Sequence, residues 1–372
     1  MTHAVPRRSR RLWVILVLGA KLIRIYLISL LCLLPAFAHC AEPAPAYPLW
    51  DGHESVVSYA QRVKLDLTKT IDLGSGVKLD FVLIPAGQFI MGTPEPAKPT
   101  ITVDSAKLLN AIGCILALAM LAWLVVRKRP GRRFSFSLGW MMLFTLACSV
   151  IVWGGTRWYL ALEQIKIYER DLEGFNHSGD DEKPALLVTI TKPFYMGKYA
   201  VTQEQYEVVE IKNPSKFRGS RNPVESVDWD DAKVFCANVN AHLHSGKKVR
   251  LPSEAQWEFA CRAGTTTRFY SGAEDRDLDD VAWYDKNSAG RTHPVGEKKP
   301  NGFGLYDMHG NVFQWCEDWY PRIIGGQTEQ CRILRGGSYA HESTFARSPN
   351  QGYFPPNQGN AYFGFRVIFS LD

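Results

Sequence analysis

The chain has 372 residues, 46% of them hydrophobic and 22% charged, with a formal net charge of +6. That length and apolar fraction exclude a disordered or low-complexity chain and leave room for one large core or two modest ones. The positive excess sits in two clusters beside apolar runs, Arg7, Arg8, Arg10 and Arg11 and the RKRPGRR of residues 127–133; this is the pattern of a membrane topology, and no basic stripe suited to nucleic acid is present.

A basic start reaching Lys21 and Arg24, an apolar run from Ile25 to Ala36 and the small-residue site Ala36-Phe37-Ala38 predict a secretory signal peptide over residues 1–38, cleaved or kept as an anchor. Lipidation at Cys40 is disfavoured because His39 is too large and polar to precede a lipidated cysteine. Either way, the downstream chain is exported. Residues 39–76 begin with the Pro/Ala-rich EPAPAYP and read as a linker and juxta-domain segment ending at Gly74-Ser75-Gly76. Next, VKLDFVLIPAGQFIMG alternates as two short strands about Pro85-Ala86-Gly87 and opens the first part of a domain, residues 77–103.

Residues 104–160 read as a transmembrane hairpin. Its spans, 108–126 and 134–156, contain no Asp, Glu, Lys or Arg, and each is long enough to cross the roughly 30 Å hydrocarbon core as a helix. The basic loop 127–133 lies in the cytoplasm by the positive-inside rule, which places both flanks outside. Trp153, Trp158 and Tyr159 stand where an aromatic belt would meet the outer interface. Buried core helices of a soluble protein are the alternative, disfavoured by length and by the lack of a polar face. A charged juxtamembrane segment covers 161–183. The strand-then-helix pattern resumes at LLVTITKPFYMGKYAV, residues 186–201, so the hairpin lies within a loop of a domain whose main part is 184–372.

Within that main part, Thr202 with Gln205 and Ser253 with Gln256 fit capping boxes, and Asp228 precedes an acidic helix start at WDDAKVFCANVNAHL. Gly264 ends the helix containing Trp257, Phe259 and Cys261. After Thr265 the chain breaks into short apolar pieces separated by Gly, Asn, Pro and Asp, the composition of a loop-rich fold. Large rings then have two readings. Trp283, Tyr284, Trp315, Trp319, Tyr339 and Tyr353 form a binding wall or, favoured for the tryptophans, build the core. His242 and His244 read as surface residues near a helix end. Of eight cysteines, Cys236, Cys261, Cys316 and Cys331 lie outside the signal region and the spans. An oxidising compartment permits two disulfides among them in three pairings, and a Cys316–Cys331 bridge would contribute about 3 kcal/mol. No phosphate loop, HExxH or GxSxG element is present, which removes the kinase, metalloprotease and serine-hydrolase readings.

Six elements succeed one another in order: MGKYAVTQEQY, NPVESVDWDDA, VRLPSEAQWEFACRAGT, NGFGLYDMHGNVFQWCEDWY, RGGSY and GFRV. Together they resemble the formylglycine-generating enzyme, or sulfatase-modifying-factor, family. The resemblance implies an α+β, loop-rich, C-type-lectin-like fold, here interrupted by the hairpin. In the family's enzymes two thiolates between the RGGSY and GFRV elements hold Cu(I), a soft ion suited to sulfur. No cysteine lies between Ser338 and Arg366, so copper is not expected. Ser338 and Tyr339 match the substrate groove, and His341 falls about where the first catalytic cysteine would; a solvated loop histidine is its preferred reading over a metal ligand. The family's calcium loop falls on Asp307, Gly310, Val312 and Gln314, with Gln in place of the usual Glu, which weakens the site. The alternative there is a tight Gly310-Asn311 turn capped by Asp307. A second calcium site is lost at Trp283. The family's C-terminal cysteine partners of Cys236 and Cys261 are absent, leaving these two paired with each other or free.

The sequence therefore predicts a bacterial inner-membrane protein with its globular domain on the periplasmic side, acting as a non-catalytic binding or scaffold module for a secreted peptide, glycan or protein. Two alternatives stand beside it: an oxidoreductase modifying a secreted protein, and a retroelement-diversified binding surface made of His341, Asn350, Tyr353, Asn357, Asn360 and Tyr362, residues of the kind binding loops favour.

Overall fold

The alternating residues 77–92 become strands β2 (Val77–Ile84) and β3 (Gly87–Met91), preceded by helix α1 (Val56–Val63) and strand β1 (Thr68–Gly74). The computed structural model describes residues 47–99, 111, 138–176, 179, 182–209, 212–243 and 248–371. The signal peptide falls outside them. The domain begins earlier than residue 77. Tyr59 of α1 is buried and its hydroxyl accepts from Ala86 N at 3.1 Å, while Trp50 packs edge-on to Phe303 at 5.3 Å. What reads as linker in residues 47–76 is thus a structural layer, disguised by the Pro/Ala-rich stretch ahead of it.

β3 pairs antiparallel with β4 (Leu186–Ile190) from Gly87↔Ile190 to Met91↔Leu186. Residues 92–185 are consequently an insertion between two paired strands, as the interrupted pattern implied. Within it, α2 (Leu138–Asn176) runs for 39 residues. Among the described residues no helix is long and apolar enough to cross a membrane, so the transmembrane hairpin is not seen. Apart from residue 111, its first span and its loop, 108–126 and 127–133, lie outside the described residues. Its second does not end at Thr156 but continues as one rod through Arg157, Glu163, Lys166 and Arg170, where Arg170 pairs with Glu274 at 2.8 Å.

After β5 (Phe194–Gly197) come α3 (Gln203–Val209), α4 (Trp229–His242), β6 (Val249–Arg250), α5 (Glu254–Arg262) and α6 (Asp275–Leu278). Both capping boxes form: Gln205 N donates to Thr202 Oγ1 with Thr202 N returning to Gln205 Oε1, and Ser253 does the same with Gln256. Asp228 caps α4 through Asp231. Short β7 (Ala282–Trp283) pairs parallel with β8 (His309–Gly310). The chain then forms the long hairpin β9 (Phe313–Ile324) and β10 (Gln327–Arg335), and ends with β11 (Gln351–Phe354), β12 (Phe363–Phe365) and β13 (Ile368–Phe369).

Two sheets organise these pieces, ordered β1-β2-β5-β13-β6 and β11-β10-β9-β12. Strand parity explains the core. Leu79, Phe81 and Leu83 point from β2 toward Tyr206 of α3 and Phe235 of α4, whereas Val82 and Ile84 point to the opposite face, toward Trp257 and Phe259 of α5. A sheet covered on both faces needs apolar residues on both parities, which is why β2 stops alternating after Asp80. Of the tryptophans read as core, Trp315 is fully buried and Trp283 only partly so. Trp319 departs from this, half exposed, with the Arg332 guanidinium sandwiched between it and Trp229 at 3.4 and 3.6 Å.

The expected disulfides are absent: Cys236, Cys261, Cys316 and Cys331 are all free. Register is the reason for one pair. Cys331 lies opposite Tyr320, four residues along β9 from Cys316, or roughly 13 Å at strand rise, well beyond the ~7 Å Cα limit of a bridge. Cys236 and Cys261 belong to the two different core clusters. Burial pushes both of these thiols up to about 12, so neither supplies thiolate.

Candidate ligand groove

The groove is built on the turn just after β10. Gly336 (φ +97) and Gly337 (φ +74) take conformations that side chains disfavour, and a Cβ on Gly336 would meet Met308 O at 2.9 Å and the Trp257 ring at 3.0 Å. The chain can therefore fold tightly over α5 and hold Ser338, Tyr339 and His341 above it, the first two buried and His341 half-buried. Opposite runs the turn Asp307–Asn311, with positive φ at Asp307, Gly310 and Asn311. The two turns are laced together: Gly310 N donates to Gly336 O at 2.7 Å and Tyr339 N to Asn311 O at 3.0 Å.

All three predicted groove residues come together. Ser338 Oγ and His341 Nδ1 share a hydrogen bond of 2.6 Å. His341, expected as a solvated loop residue, is half-buried and boxed by Phe313, Tyr362 and Phe345, whose ring centres lie 5.1, 5.1 and 5.2 Å away. Burial lowers its pKa, partly opposed by the Asp285 carboxylate. Tyr339 bridges Tyr362 at 5.6 Å and Phe217 at 5.3 Å. Phe363 continues the wall to Phe354 at 4.9 Å. Phe345 and Phe354 leave large parts of their rings in solvent, whereas Phe313, Phe363, Tyr339 and Ser338 are buried behind them, so the apolar wall is exposed at its rim and the Ser338–His341 pair lies mostly beneath it. Tyr353 stacks on Tyr320 at 4.3 Å instead of joining this wall. Phe217, Phe345 and Phe354 lie outside every motif, and Phe313, though within NGFGLYDMHGNVFQWCEDWY, carries no sign of this role; only the topology gathers them.

The residues of the calcium loop do not fit a calcium ion held by Gln314. Its Oε1 already accepts from Trp257 Nε1 at 2.8 Å and Arg366 Nε at 3.0 Å, and its Nε2 donates to Asp307 O at 2.8 Å. Arg366 also donates to the carbonyls of Gly197 and Tyr306, so a fixed cation occupies the locus. Asp307 Oδ2 instead accepts from Gly296 N at 2.8 Å, tying this turn to another loop and not capping Gly310-Asn311. Its Oδ1 is buried beside Asn311 without a well-formed hydrogen bond, and burial raises its pKa. Among the described residues no three His, Cys, Asp or Glu converge as a metal site.

Beneath the groove lies a buried charge network. Arg335 is fully enclosed, pairs with Glu258 and donates to the carbonyls of Pro349 and Asn350. Glu258 also accepts from Arg262 at 2.8 Å. Arg335, three residues before Ser338, points its charge inward and holds the segment 349–350 in place.

A family profile described as sulfatase-modifying factor enzyme 1-like domain matches residues 146–371. Over 225 residues the chain is 30% identical to the chaperone protein LppX of Paenibacillus barcinonensis, covering 48% of this chain and 80% of that one. Over 181 residues it is 33% identical to the formylglycine-generating enzyme of Streptomyces coelicolor, covering 41% of this chain and 54% of the enzyme; the chain thus spans about half the length of that relative. Among solved structures, Treponema denticola variable protein 1 and PvdO from Pseudomonas aeruginosa each share the fold, with a TM-score of 0.51 and 22% identity, covering 82% of this chain and 99% and 98% of theirs. The motif order, the two-sheet architecture and the profile agree, and the chain belongs to the sulfatase-modifying factor enzyme 1-like domain family.

Proposed function

We propose that this protein is a binding module of its family, without the family's oxidase chemistry, whose groove from Ser338 to Phe363 takes an extended peptide, a glycan or a protein partner. One observation carries the reading: where the enzymes place two copper-holding cysteines, this chain has no cysteine from Ser338 to Arg366, and the four described thiols are buried away from the groove surface. In their place stands a half-buried imidazole in an aromatic box, a surface suited to stacking and hydrogen bonding. The likeness to a protein called a chaperone supports a role in holding a partner. Attachment to the outer face of the bacterial inner membrane is part of the proposal, supported by the charge-free runs 108–126 and 134–156 and the basic loop between them.

The test is an array of peptides and glycans probed with the full chain, beside Phe345→Ala and Tyr362→Ala. Retained binding by wild type and its loss in both variants is the expected outcome. Formylglycine appearing in a co-expressed sulfatase would instead establish the oxidoreductase reading. Resistance to alkaline extraction from membranes tests the attachment.

A further inference from the structure

The insertion is not hung on the domain by its strands alone. Where the chain leaves, Thr93 N donates to Glu182 O at 3.0 Å and Thr93 Oγ1 to Glu182 Oε2 at 2.6 Å, so the exit and the return are clamped at one point. The Glu182 side chain, only 1% exposed, then receives a two-pronged pair from Arg347, at 2.8 Å to Oε2 and 2.7 Å to Oε1. Arg347 closes the 3-10 turn Ser343–Ala346 and binds back to it through Thr344 O at 2.9 Å. A planar guanidinium fork on a carboxylate is directional; the turn has one seat, and Glu182 defines it.

A second joint reaches the same turn by another route. Arg170, near the end of α2, holds Glu274 at 2.8 Å, and the next residue, Asp275, accepts from Ser343 Oγ at 2.9 Å. The first joint is buried and the second largely exposed, so the first dominates. What the turn carries is Phe345, one wall of the box around His341. Its Ala346 backbone also lies within 2.9 Å of where a Cβ on Gly337 would stand, so turn and groove loop are interlocked.

We propose that two points on the return arm of the insertion, Arg170 and Glu182, and the groove-side turn Ser343–Arg347 move as one element, so that displacing the insertion is felt at Phe345 and His341. The insertion is thereby a control arm for the groove, whichever ligand the groove takes. Coupling of this kind is reciprocal.

Reciprocity sets the experiment, which is amide hydrogen exchange on the purified full chain. Arg347→Lys keeps the charge but loses the fork; it should speed exchange at least tenfold in peptides covering 165–176 and 182–186, far away in sequence. Glu182→Gln should do the same in 341–350. Arg170→Ala should shift 343–346 by a smaller factor. Peptides from β2, β5 and β13 report folding and should stay unchanged. Should Glu182→Gln fail to fold, the milder Arg347→Lys still decides. Effects confined to each substituted segment, or spread evenly over the five-stranded sheet, overturn the proposal.

Discussion

His309 gives a quantitative test of how the groove floor is held. Fully buried behind the 3-10 turn, it stacks on Tyr270 at 4.6 Å and accepts from Tyr270 N at 3.1 Å through Nε2, while its other nitrogen donates to the Ala346 carbonyl. The ring is thus satisfied only when neutral, and burial pushes its pKa down from 6.5 to about 3. In the unfolded chain the imidazole binds a proton below about pH 6.5, whereas in the folded chain it does not until about pH 3. The unfolded state binds more protons through that window, so stability falls as pH drops. Working the linkage through, about 2.7 kcal/mol should be lost between about pH 7.5 and about pH 4.5 from this residue. Urea unfolding of the wild type and His309→Gln over that range isolates it, because the carboxylates and His341 contribute equally to both. The variant will be less stable near neutrality but flatter with pH, and the gap between the curves should close by that amount. Curves that stay parallel would mean His309 titrates in place, and the reasoning from its enclosure would be wrong.

Gly336→Ala should destabilise by ~1–3 kcal/mol or more, since it adds both an unfavourable φ and a contact at 2.9 Å with Met308 O; thermal unfolding checks it. Arg335→Met leaves Glu258 with one fewer cationic partner and two backbone carbonyls unserved, and a loss of roughly 3–5 kcal/mol is expected in urea. Alkylation of denatured, never-reduced protein should modify Cys236, Cys261, Cys316 and Cys331 alike; reductant should leave the unfolding midpoint unmoved, where a native disulfide would make stability fall by about 2–5 kcal/mol.

Much of the fold was legible because it is governed locally. Capping residues announce α3, α4 and α5, Gly310-Asn311 announces one turn, and β-alternation announces β2 and β3. The candidate groove is suggested by motif order, which names Ser338, Tyr339 and His341, and by the polar and aromatic C-terminal residues, which include Tyr362 but not Phe313 or Phe345. Phe313, Phe345 and Tyr362 converge from three separate stretches, so His341 reads as solvated until the chain is folded. The same holds for Glu182 and Arg347, 165 positions apart. Cysteine pairing failed for a sharper reason: short spacing between Cys316 and Cys331 suggests a loop, whereas the β9–β10 register sets them out of reach. The charge-free run 134–156 was read as a span with an end, yet helix α2 continues past it into charged residues.

On the proposed reading, this family scaffold recognises a partner and holds no copper. Titrating the full chain with Cu(I) against a competing chelator tests it most directly. No tight uptake and no oxygen consumption with a cysteine-containing peptide are expected; stoichiometric, tight Cu(I) binding abolished by changing His341 would overturn the proposed function.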